Sequence, residues 1–342
     1  MIVSIDNPLI DAALDVDENF LKQWGLKLDN GILADSKYQP LIDEVLRNPE
    51  SHRTSGGACQ NTLVMAQWLM QEEGKTAIVG SVGDDPNRFL LKEILTKCGV
   101  KCYYQVIPNS FTGCSTILVC NGNRSMVTSL GASGSMDCKT WDSPDVLKLF
   151  SKAKVIILAN FFIRSSEKIA LYIALECLQR KIPLALGLSS SAAIETDTWP
   201  TLKQIFKMAT IVFGNKEEII SMAKKLDFID NSCDEKIDLC KITKQLADYH
   251  FIQKRIVITT NGPDPVVACI SGEEPFQRNQ VDIPPSKIVD TIGAGDSFAG
   301  GFLAYYIKGY NLVKCIDAGN YCASCNIQER GCTVPNYSPN FK

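Results

Sequence analysis

Short runs rich in β-branched residues alternate with amphipathic stretches along most of this 342-residue chain, and this alternation restricts the possible folds more than any other feature. It is clearest at residues 76–79, 89–97, 155–158, 167–178, 211–213, 217–226 and 255–259. Strands that alternate with helices in this way form βαβ units. We therefore predict an α/β protein with three layers, in which helices cover both faces of a mostly parallel central sheet.

Two regions break this alternation and predict a second, smaller sheet. Residues 11–36 carry alternating segments without a long helix, and residues 101–130 hold extended runs joined by short turns, with Asn121-Gly122 as a typical hairpin turn. The extended runs of the second region are 103–107, 112–119 and 124–130. We predict antiparallel strands that form one β lid from two insertions. The predicted domains are a large α/β domain of residues 1–10, 54–100 and 131–342 and a small lid domain of residues 11–53 and 101–130.

Composition and charge exclude several classes of partner. A net charge of −3, with acids and bases interspersed and without a Lys/Arg block, argues against nucleic acid or an anionic membrane as a partner. The sequence has no apolar stretch near the roughly 18 residues that span a bilayer. The fourteen cysteines stand mostly within apolar runs, as buried free thiols do. We expect a cytoplasmic protein with small-molecule ligands.

The segment Asp290-Thr291-Ile292-Gly293-Ala294-Gly295-Asp296 is the first candidate for chemistry. Glycines that precede a helix-forming run let backbone N–H groups converge on a phosphate at the helix N-terminus. Asp296 stands where it could accept a proton from a hydroxyl group that receives the phosphoryl group. A glycine turn followed by an acidic helix start explains the segment about equally well.

Two other elements agree with that chemistry but are weaker signals. Gly56-Gly57 precedes an amphipathic run, and Asn61, one turn later, could donate to and accept from a sugar hydroxyl. Asn215 and Glu218 follow an apolar strand at the edge where α/β folds bind ligands, and they could hold Mg²⁺ through water. Considered alone, an N-capping Asn with a Glu at the third helical position explains the second pair better.

Two glycine motifs do not complete a nucleotide-binding fingerprint. Gly74-Lys75-Thr76 resembles the end of a P-loop, but Leu69 stands where the first glycine is required. The Gly293–Gly295 motif begins like a dinucleotide fingerprint, but Phe298 takes the place of its third small residue. These departures disfavour a P-loop enzyme and a Rossmann dehydrogenase.

Taken together, these elements resemble the ribokinase-like (phosphofructokinase B) carbohydrate kinase family from about Asn7 to Pro335. Residues 290–298 match its C-terminal signature, and Gly56-Gly57 with Asn61 matches its N-terminal one. Finer details resemble the adenosine kinase branch of that family. They are Asn7-Pro8-Leu9-Ile10-Asp11, Ile32-Leu33-Ala34, Ala66-Gln67-Trp68, Asn123-Arg124-Ser125, Phe161-Phe162, Phe213-Gly214-Asn215 and Gly331-Cys332-Thr333.

The resemblance implies an ATP-dependent phosphotransferase of purine salvage that converts adenosine and ATP into AMP and ADP. Asp296 would be the base for the 5′-hydroxyl, and Arg124 would swing in from the lid to the transferring phosphate. The amides of an anion hole would come from Gly293, Ala294 and Gly295. The substrate-binding residues would be Asn7, Asp11, Gly57 and Asn61 at the ribose, Gly56 beside them, and Leu33, Met126 and Phe162 at the purine.

The same resemblance implies where ATP and Mg²⁺ bind. Thr260 and Gly262 would lie along the ATP phosphates or ribose, Asn215 and Asn320 would also contact the nucleotide, and Asn215 with Glu218 would organise Mg²⁺. A monomer is the expected state.

The chain also departs from the adenosine kinase pattern. Ile292 replaces a frequent Asn, Ala58 a frequent Ser, and Gly31 a frequent polar residue. A kinase for another nucleoside or a sugar, and a catalytically idle nucleoside-binding protein, therefore remain alternatives.

Overall fold

The computed structural model describes residues 1–28, 30–137, 140, 143–230 and 237–341. Its strands are β1 (Ile2–Ile5), β2 (Leu9–Asp15), β3 (Gly31–Leu33), β4 (His52–Gly56), β5 (Thr76–Gly83), β6 (Lys101–Ile107), β7 (Gly113–Cys120), β8 (Asn123–Ser129), β9 (Val155–Ala159), β10 (Leu184–Gly187), β11 (Ile211–Asn215), β12 (Ile256–Asn261), β13 (Asp264–Ile270) and β14 (Phe276–Arg278). Its helices are α1 (Glu18–Gln23), α2 (Gln39–Arg47), α3 (Ala58–Met70), α4 (Pro86–Lys97), α5 (Pro144–Lys152), α6 (Asn160–Ser165), α7 (Glu167–Arg180), α8 (Ser191–Ile194), α9 (Trp199–Met208), α10 (Lys216–Lys225), α11 (Leu239–Asp248), α12 (Ala294–Tyr306) and α13 (Leu312–Asn326). Across the described residues, no helix combines the length and apolar character that crossing a bilayer requires.

A nine-stranded sheet in the order β14-β13-β12-β11-β10-β9-β1-β5-β6 forms the centre of the described chain. The strands from β12 to β6 are parallel, and β13 and β14 add an antiparallel edge. The seven elements predicted from the alternation fall on β5, α4, β9, α7, β11, α10 and β12. The structure confirms the predicted α/β fold class.

The core consists of two hydrophobic clusters, one on each face of the large sheet. Successive residues of a strand point to opposite faces, so Val3 and Ile5 join one cluster while Ile2 joins the other. Helices α3, α12 and α13 pack on the Ile2 face, and α5, α7, α9 and α10 pack on the opposite face. Each fully buried aliphatic side chain contributes about 1.5–3 kcal/mol to the hydrophobic driving force.

A five-stranded sheet in the order β3-β8-β7-β2-β4, which we call the lid sheet, carries α1 and α2 on one face. Ala12 and Leu14 of β2 point into that small core, so Asp11 points to the opposite face. The Asn121-Gly122 turn joins β7 to β8 with positive φ at both residues, 52° and 79°. The predicted hairpin is therefore confirmed.

The lid sheet differs from the prediction in two respects. Residues 103–107 were predicted as a lid strand, but β6 pairs in parallel with β5 at the edge of the large sheet, with Tyr103 opposite Val79. Helix α4 supplies the crossover that a parallel pair needs. The lid sheet is also mixed, because β2 pairs with β7, and β3 with β8, in parallel. It therefore draws on residues 9–56 and 113–129, whereas the predicted domains divided the chain at 10, 53, 100 and 130.

Candidate active site

Several of the predicted site residues lie at the carboxyl ends of the parallel strands, which is where open α/β sheets bind ligands. Asp6 and Asn7 follow β1, and Asn215 ends β11. Thr260 of β12 lies opposite Asn215 in the strand register. Strands β11 and β12 are neighbours, whereas β1 lies beyond β10 and β9 on the same sheet, so residues from three distant segments of the sequence share one edge.

Two helix N-termini converge on this edge. Gly57, with φ of 94°, caps α3, and Gly293, with φ of 75°, caps α12. Both conformations are in the left-handed half of φ space, which favours glycine. At Gly300, an added Cβ would lie 2.5 Å from the Thr62 carbonyl oxygen, so this glycine allows α12 to pack closely against α3.

The anion hole implied for the start of α12 has the expected backbone form. Ala294 and Gly295 are the first two helical residues, and the first N–H groups of an α-helix have no partner within the helix. The Ala294 N–H donates a long bond of 3.3 Å to the Thr291 carbonyl oxygen. No heavy atom lies within 4 Å of an added Cβ at Gly295, so the approach to that residue is open.

Asp296 lies in the first turn of α12 and receives a hydrogen bond from α3. The Asn61 Nδ2 donates to its Oδ2 at 3.0 Å. Burial raises the pKa of Asp296 to about 7, and the neighbouring carboxylates of Asp6, Glu218 and Asp11 raise it further, while the Asn61 bond opposes the shift. A carboxyl group that titrates near neutrality beside a helix N-terminus is suited to accept a proton.

The same pKa predicts how Asp296 affects stability. Its folded pKa lies above the unfolded value, so ionisation disfavours the folded state: stability falls as pH rises from about 4 through 7. Asp296→Asn removes this cost, and we expect the Tm at pH 8 to rise by a few degrees, with the difference vanishing below about pH 4. Thermal unfolding across this pH range measures it, with Asp145→Asn at an exposed site on α5 as the control. An equal difference at both ends of the range would contradict this origin.

Asp11 and Gly56 form a second part of the site. Burial raises the pKa of Asp11 to about 7. Strands β2 and β4 pair so closely here that a Cβ on Gly56 would lie 1.8 Å from the Asp11 Oδ1. The carboxylate therefore packs directly on the glycine backbone. Asp6 lies nearby and accepts from the Cys59 N–H at 2.9 Å, and burial raises the pKa of Asp6 to about 6.

The residues predicted to contact a purine fall into two groups. Leu33 of β3 is 61% exposed, and Met126 of β8 is partly buried. Phe162 is 0% exposed and packs in the large core, so its ring has no surface open to a ligand in this structure. Phe161, which precedes it, is 42% exposed. The Phe-Phe pair indicated an aromatic contact, but only the direction in which α6 leaves β9 decides which ring is accessible.

Asn7 is buried, and its Oδ1 accepts from the Ser165 hydroxyl at 3.0 Å. This bond ties the end of β1 to α6. The amide orientation of Asn7 is therefore fixed by a neighbouring helix, and its contact with the ribose stays a prediction.

Arg124 connects the lid sheet to the loop before α12. Its guanidinium forms an ion pair with the buried carboxylate of Asp290. Burial alone would raise the pKa of Asp290, but hydrogen bonds from Arg124 and from the N–H groups of Ile292 and Gly331 lower it overall. Asp290 was not predicted as a site residue, because two of its partners, Arg124 and Gly331, lie far away in the sequence. The contact of Arg124 with a phosphate remains a prediction.

Asn215 and Glu218 form a complete capping box at the start of α10. The Asn215 Oδ1 accepts from the Glu218 N–H at 2.9 Å, and the Asn215 N–H donates to the Glu218 Oε2 at 3.0 Å. The structural explanation that the sequence favoured is therefore present. Burial also raises the pKa of Glu218 to about 6. The described residues contain no group of three or more His, Cys, Asp or Glu that could hold a metal ion by itself.

The remaining predicted residues lie on two other elements. Gly262 lies in the turn after β12 with φ of 57°, and an added Cβ would meet no atom within 4 Å. Asn320 of α13 is buried, and its Nδ2 donates to the Asn279 carbonyl oxygen at 3.0 Å. Its Oδ1 has no hydrogen-bond partner in the described part of the chain. Asn320 lines a cavity of about 540 Å³ together with Tyr321 and Phe341.

Comparison with known proteins agrees with this geometry. Residues 30–339 match the pfkB family of carbohydrate kinases. Adenosine kinase from Dictyostelium discoideum is 30% identical and adenosine kinase 1 from Arabidopsis thaliana is 31% identical, over 100% of this chain and 98% and 97% of theirs.

Solved structures extend the match to the whole fold. Anopheles gambiae adenosine kinase in complex with P1,P4-di(adenosine-5) tetraphosphate superposes with a TM-score of 0.87 at 30% identity, covering 100% of this chain and 99% of that chain. Schistosoma mansoni adenosine kinase in complex with 2-fluoroadenosine gives a TM-score of 0.88 at 28% identity, covering 98% and 97%. The fold is the ribokinase-like α/β fold, and the chain belongs to the pfkB family of carbohydrate kinases.

Proposed function

We propose that this protein transfers the γ-phosphoryl group of ATP to the 5′-hydroxyl of adenosine, giving AMP and ADP. The observation that carries the proposal is the placement of Asp296 in the first turn of α12, three residues after the left-handed Gly293 and within hydrogen-bond distance of Asn61. Adenosine as the acceptor is supported by the relatives, which are adenosine kinases and which match this chain over almost their full length.

In this proposal the ribose lies between the lid sheet and the N-terminus of α3. One carboxylate can accept from two neighbouring hydroxyls, so Asp11 would bind the 2′- and 3′-hydroxyls. The Asn61 Oδ1 is buried without a partner among the described residues, and it would accept from a ribose hydroxyl while Nδ2 orients Asp296. Phe161, rather than Phe162, would contact the purine together with Leu33 and Met126.

Phosphoryl transfer would then proceed in line. Asp296 would accept the 5′-hydroxyl proton as the oxygen attacks the γ-phosphorus, and the bond from that phosphorus to the bridging oxygen of ADP would break. The amides of Gly293, Ala294 and Gly295 would stabilise the negative charge that develops on the phosphoryl oxygens. Arg124 would contact the same group from the lid side, and closure of the lid would exclude water.

The residues around Asn215 and Glu218 fit a hydrated Mg²⁺. The donors are oxygens, and the raised pKa values of Glu218 and Asp296 reflect buried negative charge that a cation would offset. The Asn215 N–H donates to the Glu218 Oε2 and the Asn215 Nδ2 donates to Oε1, so each carboxylate oxygen retains a further lone pair. When bound, Mg²⁺ would neutralise charge on the ATP phosphates. Thr260, Gly262 and Asn320 would contact the nucleotide.

In this proposal the protein is a monomer that acts in the cytoplasm, where it takes part in purine salvage. Twelve cysteines of the described chain are free thiols, which suits a reducing compartment.

The direct test measures AMP formation from adenosine and Mg·ATP, with inosine, guanosine, ribose and fructose as competing acceptors. Rapid AMP formation would support the proposal. Turnover of another acceptor in place of adenosine would indicate a kinase of the same family that acts on a different substrate. Tight binding of adenosine without any turnover would favour the idle nucleoside-binding protein.

The pH profile tests the base more specifically. Only ionised Asp296 can accept a proton, and the ionised Asp11 would bind the ribose, so kcat/KM for adenosine should rise at least tenfold per pH unit below about 7 and level off above it. Because the Asn61 bond opposes the pKa shift, Asn61→Leu should move the midpoint to higher pH. Steady-state rates from pH 5 to 9 measure both, and a wild-type midpoint below about 5 would contradict the assignment.

A further inference from the structure

Asn326, the last residue of α13, makes three side-chain hydrogen bonds in the anion-hole region, and no step of the proposed mechanism uses it. Its side chain is 0% exposed. The Nδ2 donates to the carbonyl oxygens of Ile292 at 3.0 Å and Gly331 at 3.2 Å, and the Oδ1 accepts from the Ser297 hydroxyl at 2.5 Å. The two carbonyl groups can only accept, so they also fix which end of the amide carries the nitrogen.

These three bonds surround Gly293, the residue that caps α12. Ile292 precedes it, and Ser297 lies one helical turn after it. An added Cβ on Gly293 would lie 3.1 Å from the Asn326 Oδ1 and 2.6 Å from the Cys332 Cβ. Asn326 therefore packs directly against the glycine whose backbone conformation directs the first amides of the helix.

Asp290 complements Asn326 on the same two residues. Its carboxylate accepts from the N–H groups of Ile292 at 2.8 Å and Gly331 at 2.6 Å, and Asn326 donates to their carbonyl groups. Both peptide segments are thus held through donor and acceptor groups by one acid and one amide. We call this arrangement the Asp290–Asn326 clamp.

We propose that Asn326 is a positioning residue for phosphoryl transfer, which holds the Ile292–Gly293 backbone so that the α12 amides meet the transferring phosphate. This inference rests on the proposed function and adds a residue to it. Donors act on a transition state only when they are already in place, and a misplacement of about 1 Å costs on the order of 10²-fold in rate. The clamp ties the Ile292 peptide, which directly precedes the anion hole, to α13 and to the loop at Gly331.

Asn326→Leu tests the proposal, because it keeps the volume of the side chain and removes all three bonds. We expect kcat to fall on the order of 10²-fold, with KM for the acceptor changed less than about threefold. Asn326→Asp keeps an acceptor for Ser297 but cannot donate to the two carbonyl groups, so it should resemble Leu. Ser297→Ala removes only the third bond and should keep kcat within about threefold.

Other outcomes would overturn the inference. A folded Asn326→Leu protein with wild-type kcat would exclude a positioning role, and an Asp variant with wild-type kcat would show that the two donated bonds are dispensable. Circular dichroism and Tm, with assays well below the Tm of each variant, separate unfolding from slow catalysis.

A second readout does not depend on the acceptor. Amide hydrogen exchange in peptides covering residues 289–297 and 327–334 should accelerate in Asn326→Leu but much less in Ser297→Ala. If the wild-type protein does not phosphorylate adenosine, the proposed function fails while the exchange experiment still tests the clamp. Unchanged exchange in Asn326→Leu would refute it whatever the substrate.

Discussion

Replacement of Asp296 by Asn is expected to reduce kcat for adenosine phosphorylation by about 10³-fold and to leave the Kd of adenosine within about threefold. Asn keeps the shape of the side chain and can still accept from Asn61, but it cannot take a proton. The carboxylate takes the proton of the acceptor hydroxyl only during transfer, so its loss should affect the transition state far more than the ground state.

Two measurements together check this expectation. Initial rates at saturating adenosine and Mg·ATP give kcat, and calorimetric titration with adenosine gives the Kd. Asp145→Asn makes the same chemical change at an exposed position of α5 and should retain wild-type values for both. If Asp296→Asn retained more than about a tenth of the wild-type kcat, another group would have to be the base. A Kd that weakened in parallel with kcat would make Asp296 mainly a binding residue.

The sequence predicted the parts of the fold that depend on local pattern. The alternation of strands and helices gave β5, α4, β9, α7, β11, α10 and β12, because the periods of two and 3.6 residues are local properties. The Asn121-Gly122 turn was equally readable, since its positive φ angles favour these two residues. The glycines near residues 57 and 293 also marked real left-handed positions at two helix starts.

Contacts between residues that are far apart in the sequence were harder to predict. A run such as 103–107 can pair with either sheet, and only the length and packing of α4 assign it to the large one. The orientation of the Phe161-Phe162 pair depends on how α6 leaves β9. Asp290 and Asn326 are 36 residues apart, so their shared hold on Ile292 and Gly331 becomes visible only in three dimensions. The candidate base could be predicted, whereas the groups that hold its surroundings could not.

Asp11→Ala is expected to weaken adenosine binding by about 10²- to 10³-fold while kcat at saturating adenosine falls much less. The Asp11 carboxylate lies on Gly56, and partial burial raises its pKa to about 7. Two ribose hydroxyls would supply the missing donors, so a substrate that lacks one of them should leave a buried acceptor unpaired.

This argument predicts a specificity change as well as a loss of affinity. The wild-type protein should prefer adenosine over 2′-deoxyadenosine and 3′-deoxyadenosine by at least about tenfold in kcat/KM, and Asp11→Ala should reduce both preferences to near unity. Gly56→Ala is the matched variant, because its Cβ would overlap the Asp11 carboxylate and should displace it, weakening adenosine binding although the acid is still present. Steady-state kinetics of the wild-type protein and both variants on the three nucleosides measure these preferences. If Asp11→Ala bound adenosine weakly but kept the full preference over the deoxynucleosides, Asp11 would support the shape of the site without contacting the ribose hydroxyls.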